Sequence, residues 1–96
     1  MNVLHLTLKR EYFERIAGGK QPCEHRQVKA YWTKRLEGHH FDEVHFKNGY
    51  GRDAPFLRVE VKEITKTIFM GEPSYEIHLG QILEVQNYDG PVVTGY

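Results

Sequence analysis

The chain has little cysteine, no excess charge and no long apolar segment, and each absence excludes a class of protein. Its single cysteine, Cys23, cannot form an internal disulfide, which excludes a small secreted domain held together by disulfides. No apolar run approaches the roughly 20 residues that a membrane-spanning helix needs. The segment MNVLHLTLKREYF is typical of a first strand and lacks the features of a signal peptide. We therefore expect a cytoplasmic protein with no membrane partner.

What the chain does have is a local concentration of basic residues within a neutral total. Its 96 residues carry 13 Lys and Arg against 13 Asp and Glu, and this length predicts one domain over residues 1–96. The stretch GGKQPCEHRQVKAYWTKR, residues 18–35, contains one carboxylate, Glu24. Its cations are Lys20, Arg26, Lys29, Lys34 and Arg35. This imbalance predicts a basic surface patch.

The hydrophobic periodicity predicts a mainly β structure with two short helices. Tyr12, Phe13 and Ile16 share one face of a first helix that Gly18–Gly19 ends. A second helix is predicted over 28–36, and "NGYG" at 48–51 predicts a turn. Strands are predicted at 3–8, 44–46, 56–64, 75–79 and 82–85, with a break or bulge at Gly80 between the last two. Residues 65–70 either extend the strand at 56–64 or begin its partner, and residues 86–96 are predicted to form an irregular tail. The fold class is therefore α+β, mainly β: a small antiparallel or mixed β-barrel of about five or six strands with two flanking helices.

The order of the segments resembles a known family. "LHLTLKREYFERIAGGKQPCEHR", then "YWTKRLEG", then "FKNGYG", is similar to the ASCH domain family of the PUA-like superfamily, in its short single-domain bacterial and phage form. The family motif is G-x-K-x-x-E-x-R. Gly19, Glu24 and Arg26 match it, whereas Gln21 stands at the place of the lysine and Lys20 lies one residue earlier.

The resemblance implies a β-barrel with a cleft beside the first helix, where the motif lies. It also implies association with RNA or modified nucleosides. Some ASCH members are amidohydrolases that deacetylate N4-acetylcytidine, and ribonuclease activity has been attributed to others. In the amidohydrolase branch a lysine and a threonine nucleophile occupy the places of Gln21 and Glu24. This chain therefore departs from that branch at both positions.

Glu24 and Arg26 are the first candidates for ligand binding. Two residues apart on a strand, they point to the same face. A carboxylate and a guanidinium so placed can hold a base edge or a phosphate. The alternative is an ion pair that only fixes the segment to the barrel.

Further candidates come from the second helix and the turn. Tyr31 and Trp32 can stack on unpaired bases while Lys34 contacts phosphate, or Trp32 can belong to the core and the lysine to a solvated face. In the turn, Asn48, Tyr50 and Arg52 can approach a ligand, although a plain hairpin turn also explains "NG".

Cys23 and the histidines offer two less favoured chemistries. Cys23 can be a nucleophile with His25 as its base, although a free cysteine is more often a small buried hydrophobe. A metal site from Cys23 and the histidines matches no zinc spacing, so no metal and no cofactor are expected. The histidines in question are His25, His39, His40 and His45.

The sequence therefore predicts a module that binds RNA or a nucleotide-like ligand in a cleft formed by residues 19–26 and 48–52. One alternative is a small hydrolase acting on a modified nucleoside or on RNA, with Glu24 as general base and Lys20 as electrostatic partner. The other is a protein-interaction module without a nucleic-acid role.

Overall fold

Strands and helices alternate along the first half of the chain, and two long strands follow in the second half. The computed structural model describes all of residues 1–96. In chain order the elements are β1 (Val3–Thr7), α1 (Arg10–Ala17), β2 (Cys23–Gln27), α2 (Ala30–Leu36), β3 (Glu43–Lys47), β4 (Phe56–Phe69) and β5 (Glu72–Gln86). The predicted α+β class with two short helices is confirmed. The helices have eight and seven residues, so neither could cross a bilayer.

One curled sheet contains all five strands in the order β1-β3-β4-β5-β2. β1 and β3 are parallel, and the other three pairings are antiparallel. The sheet forms a half-barrel whose outer strands are β1 and β2. Helix α1 connects these two outer strands, and its apolar face packs into the core of the half-barrel.

The core follows from the two periodicities in the sequence. In β4, Leu57, Val59 and Val61 are buried while the alternate residues lie outside, as a strand with one solvated face requires. In α1, Phe13 and Ile16 are buried, whereas Tyr12 is 39% exposed. The amphipathic helix predicted here is confirmed, except that Tyr12 points away from the core.

Glycines end α1 as the sequence predicts. The Lys20 N–H donates to the Arg15 carbonyl at 2.9 Å, and the Gly19 N–H donates to the Ile16 carbonyl at 3.2 Å. These two bonds form the Schellman motif, in which the residue that follows the C-cap adopts a positive φ. Gly19, with φ of +80°, supplies it. The chain therefore turns sharply out of α1 into β2.

Three elements differ from the sequence-based expectation. β2 is a strand at a place where the sequence predicts none. The segments 75–79 and 82–85 belong to one strand, β5, and the break or bulge predicted at Gly80 is a bulge-like shift in the register with β4. The side chain of Glu60 occupies the space where a Cβ at position 80 would lie, which explains the glycine. Helix α2 begins at Ala30, leaving Val28 outside it and 37% exposed. Residues 65–69 extend β4, one of the two options that the sequence left open.

The irregular C-terminal segment packs against α1. Residues 87–96 form no named strand or helix, as predicted. The ring of Tyr88 nevertheless meets that of Phe13 edge to face, with the centroids 5.2 Å apart. The Val93 N–H donates to the Ala17 carbonyl at 2.9 Å, and the Tyr96 hydroxyl donates to the Ile16 carbonyl. The segment therefore packs against the core side of α1 and bonds to the carbonyls of its last turn.

A charge network on β3, β4 and β5 predicts acid sensitivity. Arg58 Nη1 donates to both oxygens of Glu43 at 3.1 and 3.0 Å, and its Nε donates to Glu84 at 3.1 Å. Burial opposes the charge of Glu43, but the hydrogen bonds from Arg58 and His45 outweigh it and lower the pKa of Glu43. Hydrogen bonds from Gln86 and Arg58 likewise lower the pKa of Glu84.

We therefore expect the thermal midpoint to fall as the network is protonated. A carboxylate whose pKa is lower in the folded state stabilises the fold fully above its unfolded pKa, which for glutamate is 4.5. That stabilisation is lost as the pH falls through the lowered value. Thermal unfolding from pH 7 to pH values below 4.5 tests this, with Arg58→Met as the matched variant. A variant with the same steep acid dependence as the wild type would contradict the assignment.

Candidate ligand-binding cleft

A cleft of about 830 Å³ lies where the two outer strands approach α1. The end of β1, helix α1 and residues 20–26 line it, together with the turn between β4 and β5. The lining residues are Thr7, Leu8, Lys9, Tyr12, Arg15, residues 20–26, Phe69 and Met70. The position follows from the topology, because α1 joins the outer strands without hydrogen bonding to either and leaves a gap beside β2.

β2 places its residues alternately on two faces. It pairs with β5, so that Glu24 lies opposite Ile77 and Arg26 opposite Tyr75. Both of these partners are buried. Glu24 and Arg26 therefore share the core-side face, as their spacing predicts, and Arg26 Nη2 donates to Glu24 Oε2 at 2.9 Å. Glu24 is 8% exposed, which makes it one of the few buried charged residues in the chain.

Arg26 is held by an aromatic ring as well as by the carboxylate. Its guanidinium carbon lies 5.1 Å from the ring centroid of Trp32, a cation–π distance. The Arg26 Nε is buried and has no hydrogen-bond partner. The second oxygen of Glu24, Oε1, accepts the backbone N–H of His25 at 3.1 Å. The pair is thus rigidly placed, with one donor of Arg26 unsatisfied.

The rest of the cleft is positively charged. Lys9, Arg15 and Lys20 are exposed along its border, and none has a carboxylate within ion-pair distance. By contrast Arg10, one residue after Lys9, pairs with Glu14 at 2.7 Å. Glu24 is the one acidic residue among those lining the cleft. The cleft therefore concentrates positive charge within a neutral chain.

The structure brings together only part of the predicted site. Lys20, Gln21, Glu24 and Arg26 line the cleft. Gly19 does not; it backs onto Val93 and turns the chain toward the cleft. The sequence missed Lys9, Tyr12 and Arg15. The signal was present in their spacing along α1, but the sequence does not say which side of the helix faces a gap in the sheet.

Of the predicted binding residues on α2, Trp32 supports the cleft, and Tyr31 and Lys34 lie on the surface outside it. Trp32 is half-buried, packs against the core and faces Arg26, so it positions the arginine. Tyr31 is 58% exposed, meets Trp32 edge to face and lies under the guanidinium of Arg35. Lys34 is exposed on α2. Neither Tyr31 nor Lys34 lines the cleft.

The 48–52 loop lies beside the cleft and does not line it, contrary to the expected arrangement. The side-chain amide of Asn48 donates to the Leu8 carbonyl at 3.1 Å, which ties the loop to the end of β1. Tyr50 is 89% exposed, and Arg52 is exposed as well. Asn48 therefore has a structural role, and the other two residues point into solvent.

Cys23 and His25 lie on the face of β2 opposite to Glu24 and Arg26, and the thiol of Cys23 contacts His78 instead of the predicted His25. His25 Nε2 bonds Glu76 Oε2 at 2.8 Å, and its ring stacks on Phe69 at a centroid distance of 3.8 Å. Cys23 Sγ faces His78 Nδ1 at 3.7 Å. Burial, and then the nearby negative charge of Glu76, raise the pKa of Cys23. A thiol that keeps its proton is a weak nucleophile, so the predicted Cys23–His25 catalytic pair is not favoured.

Comparison of the chain with protein families, with curated proteins and with solved structures finds no match.

Proposed function

We propose that this protein is an ASCH-type module of the PUA-like superfamily that binds RNA or a nucleotide-like ligand in the cleft beside α1. The observation that carries the proposal is the set of cations without carboxylate partners, Lys9, Arg15 and Lys20, around the Glu24–Arg26 pair. The sequence order that resembles the family supports the same proposal, and so does the curled sheet with its cleft beside the first helix. The proposal places the protein in the cytoplasm.

Electrostatics favours a phosphate-bearing ligand. Cations that lack an internal partner gain more from binding an anion than cations already paired, because no existing ion pair must be broken. Lys9 and Arg15 lie at opposite ends of α1 and Lys20 lies beyond its end, so they can contact successive phosphates or several oxygens of one phosphate. Exposed charges of this kind also make binding strongly dependent on salt.

The Glu24–Arg26 pair supplies a candidate for base recognition. Each carboxylate oxygen of Glu24 already accepts one hydrogen bond and can accept another, from an exocyclic amine for example. Tyr12 borders the same cleft with 39% of its surface exposed and offers a ring on which a base can stack. A volume of about 830 Å³ is within the range of small-molecule sites and accommodates a nucleotide.

A hydrolase is the second candidate, because Lys20 and Glu24 do line the same cleft. In this function Glu24 accepts a proton from water and Lys20 stabilises the developing negative charge. The binding module is preferred, since Gln21 replaces the family's lysine. Glu24→Gln separates the two functions: a hydrolase would retain binding and lose turnover.

Lys20→Glu is expected to weaken binding of short single-stranded RNA about ten-fold at low salt, because one phosphate contact is replaced by repulsion. The slope of log Kd against log salt should become shallower by about 1 or more. Lys34→Glu is the matched control, since Lys34 is also exposed but lies outside the cleft. It should change Kd by less than about two-fold. Titration of labelled protein followed by NMR, at low and physiological salt, measures both effects.

The same titration with cytidine and N4-acetylcytidine identifies the ligand class. Shifts confined to residues 20–26 and α1 support the cleft, and product signals from the acetylated nucleoside would convert the binder into an enzyme. Equal effects of the two lysine variants would contradict the cleft as the binding surface. No shifts with any ligand would leave a protein-interaction module as the remaining function.

A further inference from the structure

Four polar side chains form a group on the face of the sheet away from the core. β2 and β5 pair so that Cys23 lies opposite His78 and His25 opposite Glu76. Because alternate residues of paired strands share a face, all four side chains project from the same face of the sheet as two neighbouring cross-strand pairs. All four are half-buried. They are therefore sheltered by neighbouring side chains and still reachable from solvent.

We propose that Cys23, Glu76 and His78 bind a divalent transition metal such as zinc. One ligand atom from each lies within 4.8 Å of the others. Cys23 Sγ and His78 Nδ1 are 3.7 Å apart. A tetrahedral zinc ion with ordinary Zn–S and Zn–N bonds would separate such atoms by about 3.6 Å. The thiol and the imidazole thus already stand at the separation that one shared ion requires.

The Nε2 of His78 lies 3.0 Å from Thr65 Oγ1 and 2.9 Å from Glu76 Oε1, which leaves Nδ1 directed toward Cys23, and Glu76 must turn from Nε2 toward the Nδ1 side of the ring to join the ion. His25 holds the other carboxylate oxygen of Glu76 at 2.8 Å, and the stacked ring of Phe69 fixes His25. Metal-binding residues are commonly oriented by such second contacts.

The donor set selects the kind of ion. When the ion displaces the proton of the Cys23 thiol, the resulting thiolate and the imidazole favour zinc, cobalt and similar ions, whereas magnesium and calcium require mainly oxygen ligands. Three protein ligands also leave a tetrahedral ion one position for water or another molecule. The sequence alone does not reveal this site, because metal-binding motifs are recognised by ligands close together along the chain, whereas Glu76 and His78 lie on β5, far from Cys23 in sequence. Cys23 and His25 also line the cleft, but the inference rests on their contacts with β5 and does not depend on the proposed binding of RNA.

Cobalt(II) provides the test, because its visible absorption reports coordination geometry and its near-ultraviolet absorption reports a bound thiolate. The full chain is titrated under reducing conditions without an affinity tag. One equivalent of cobalt is expected to produce a thiolate charge-transfer band and the intense visible bands of a four-coordinate ion, and zinc should abolish both. Cys23 is the only cysteine, so that band is assigned without ambiguity.

Variants then identify the ligands. Cys23→Ser should eliminate the charge-transfer band, and Glu76→Gln and His78→Asn should remove or shift the visible bands. His25→Gln should retain the spectrum while weakening cobalt binding about 10- to 100-fold, as expected for a positioning residue. His40→Gln, which changes an exposed histidine paired with Asp42, is the control and should have no effect.

Three results would overturn the site. The first is wild-type protein that shows no charge-transfer band at excess cobalt. The second is a band that survives in Cys23→Ser or disappears in His40→Gln. The third is a band whose intensity corresponds to half an equivalent of cobalt and accompanies dimer formation in sedimentation, because the ion would then join two molecules. Circular dichroism of each variant establishes that the loss of a band does not follow from unfolding.

Discussion

Phe13→Ala is expected to lower the free energy of unfolding by about 3–5 kcal/mol, the range for removing a large buried aromatic side chain. Phe13 is 1% exposed in the core cluster, and its ring meets Tyr88 of the C-terminal segment edge to face. The substitution therefore leaves a cavity between α1 and the sheet and removes the aromatic contact that holds the C-terminal segment. For a domain of this size, each kcal/mol lost lowers the thermal midpoint by roughly 4–8 °C.

Tyr12→Ala is the matched control, because it removes the neighbouring aromatic ring from the exposed side of the same helix. We expect it to change stability by less than about 1 kcal/mol and to weaken ligand binding instead. Urea denaturation of both variants measures the difference, and Phe13→Leu provides a milder change if the alanine variant is mostly unfolded. Equal destabilisation by both alanine variants would contradict the assigned orientation of α1.

Arg26→Ala is the second substitution with a large expected effect, because it acts on stability and on the cleft together. It leaves Glu24, 8% exposed, without its charged partner, and it removes the contact with Trp32. An unpaired, largely buried polar group costs about 1–3 kcal/mol. The side chains of Arg26 and Glu24 keep 21% and 10% of their surface exposed, which argues for the lower part of that range.

A double-mutant cycle with Glu24→Ala separates the structural role of the pair from its binding role. If the residues interact directly, the double variant should be less destabilised than the sum of the single variants. Arg26→Lys should preserve the positive charge but not the planar geometry of the guanidinium. If the cleft binds a base or phosphate through Arg26, this variant should fold with little loss of stability but show smaller NMR chemical-shift changes on titration with RNA. Unchanged binding in Arg26→Lys would mark the pair as a structural ion pair.

Local sequence patterns were sufficient wherever one short segment determines its own structure. The helix over α1 follows from its apolar spacing, and Gly19 marks its end because few other residues adopt a positive φ. The alternation in β4 predicts which of its residues share a face, and the two-residue spacing of Glu24 and Arg26 predicts that they share one on a strand, as they do in β2. The α+β class follows from the number and type of these segments. The resemblance to the ASCH family adds a ligand class, and this stays a prediction.

Tertiary structure alone decided which segments meet. Lys9, Tyr12 and Arg15 border the cleft because α1 spans the gap between the outer strands, a consequence of strand order that no local pattern records. The partners of Cys23 come from β5, more than fifty residues away along the chain. Residues 87–96 have the composition of a loose tail, yet Tyr88 and Tyr96 pack against the core, and the segment donates hydrogen bonds to backbone carbonyls at the end of α1.

Periodicity thus determined the helices, the strands other than β2 and the faces of these elements, because they depend on backbone geometry that repeats every two or 3.6 residues. The cleft and the Cys23–Glu76–His78 group depend instead on long-range strand pairing. That pairing is selected by the burial of the whole core, so it is decided only when all the segments pack together.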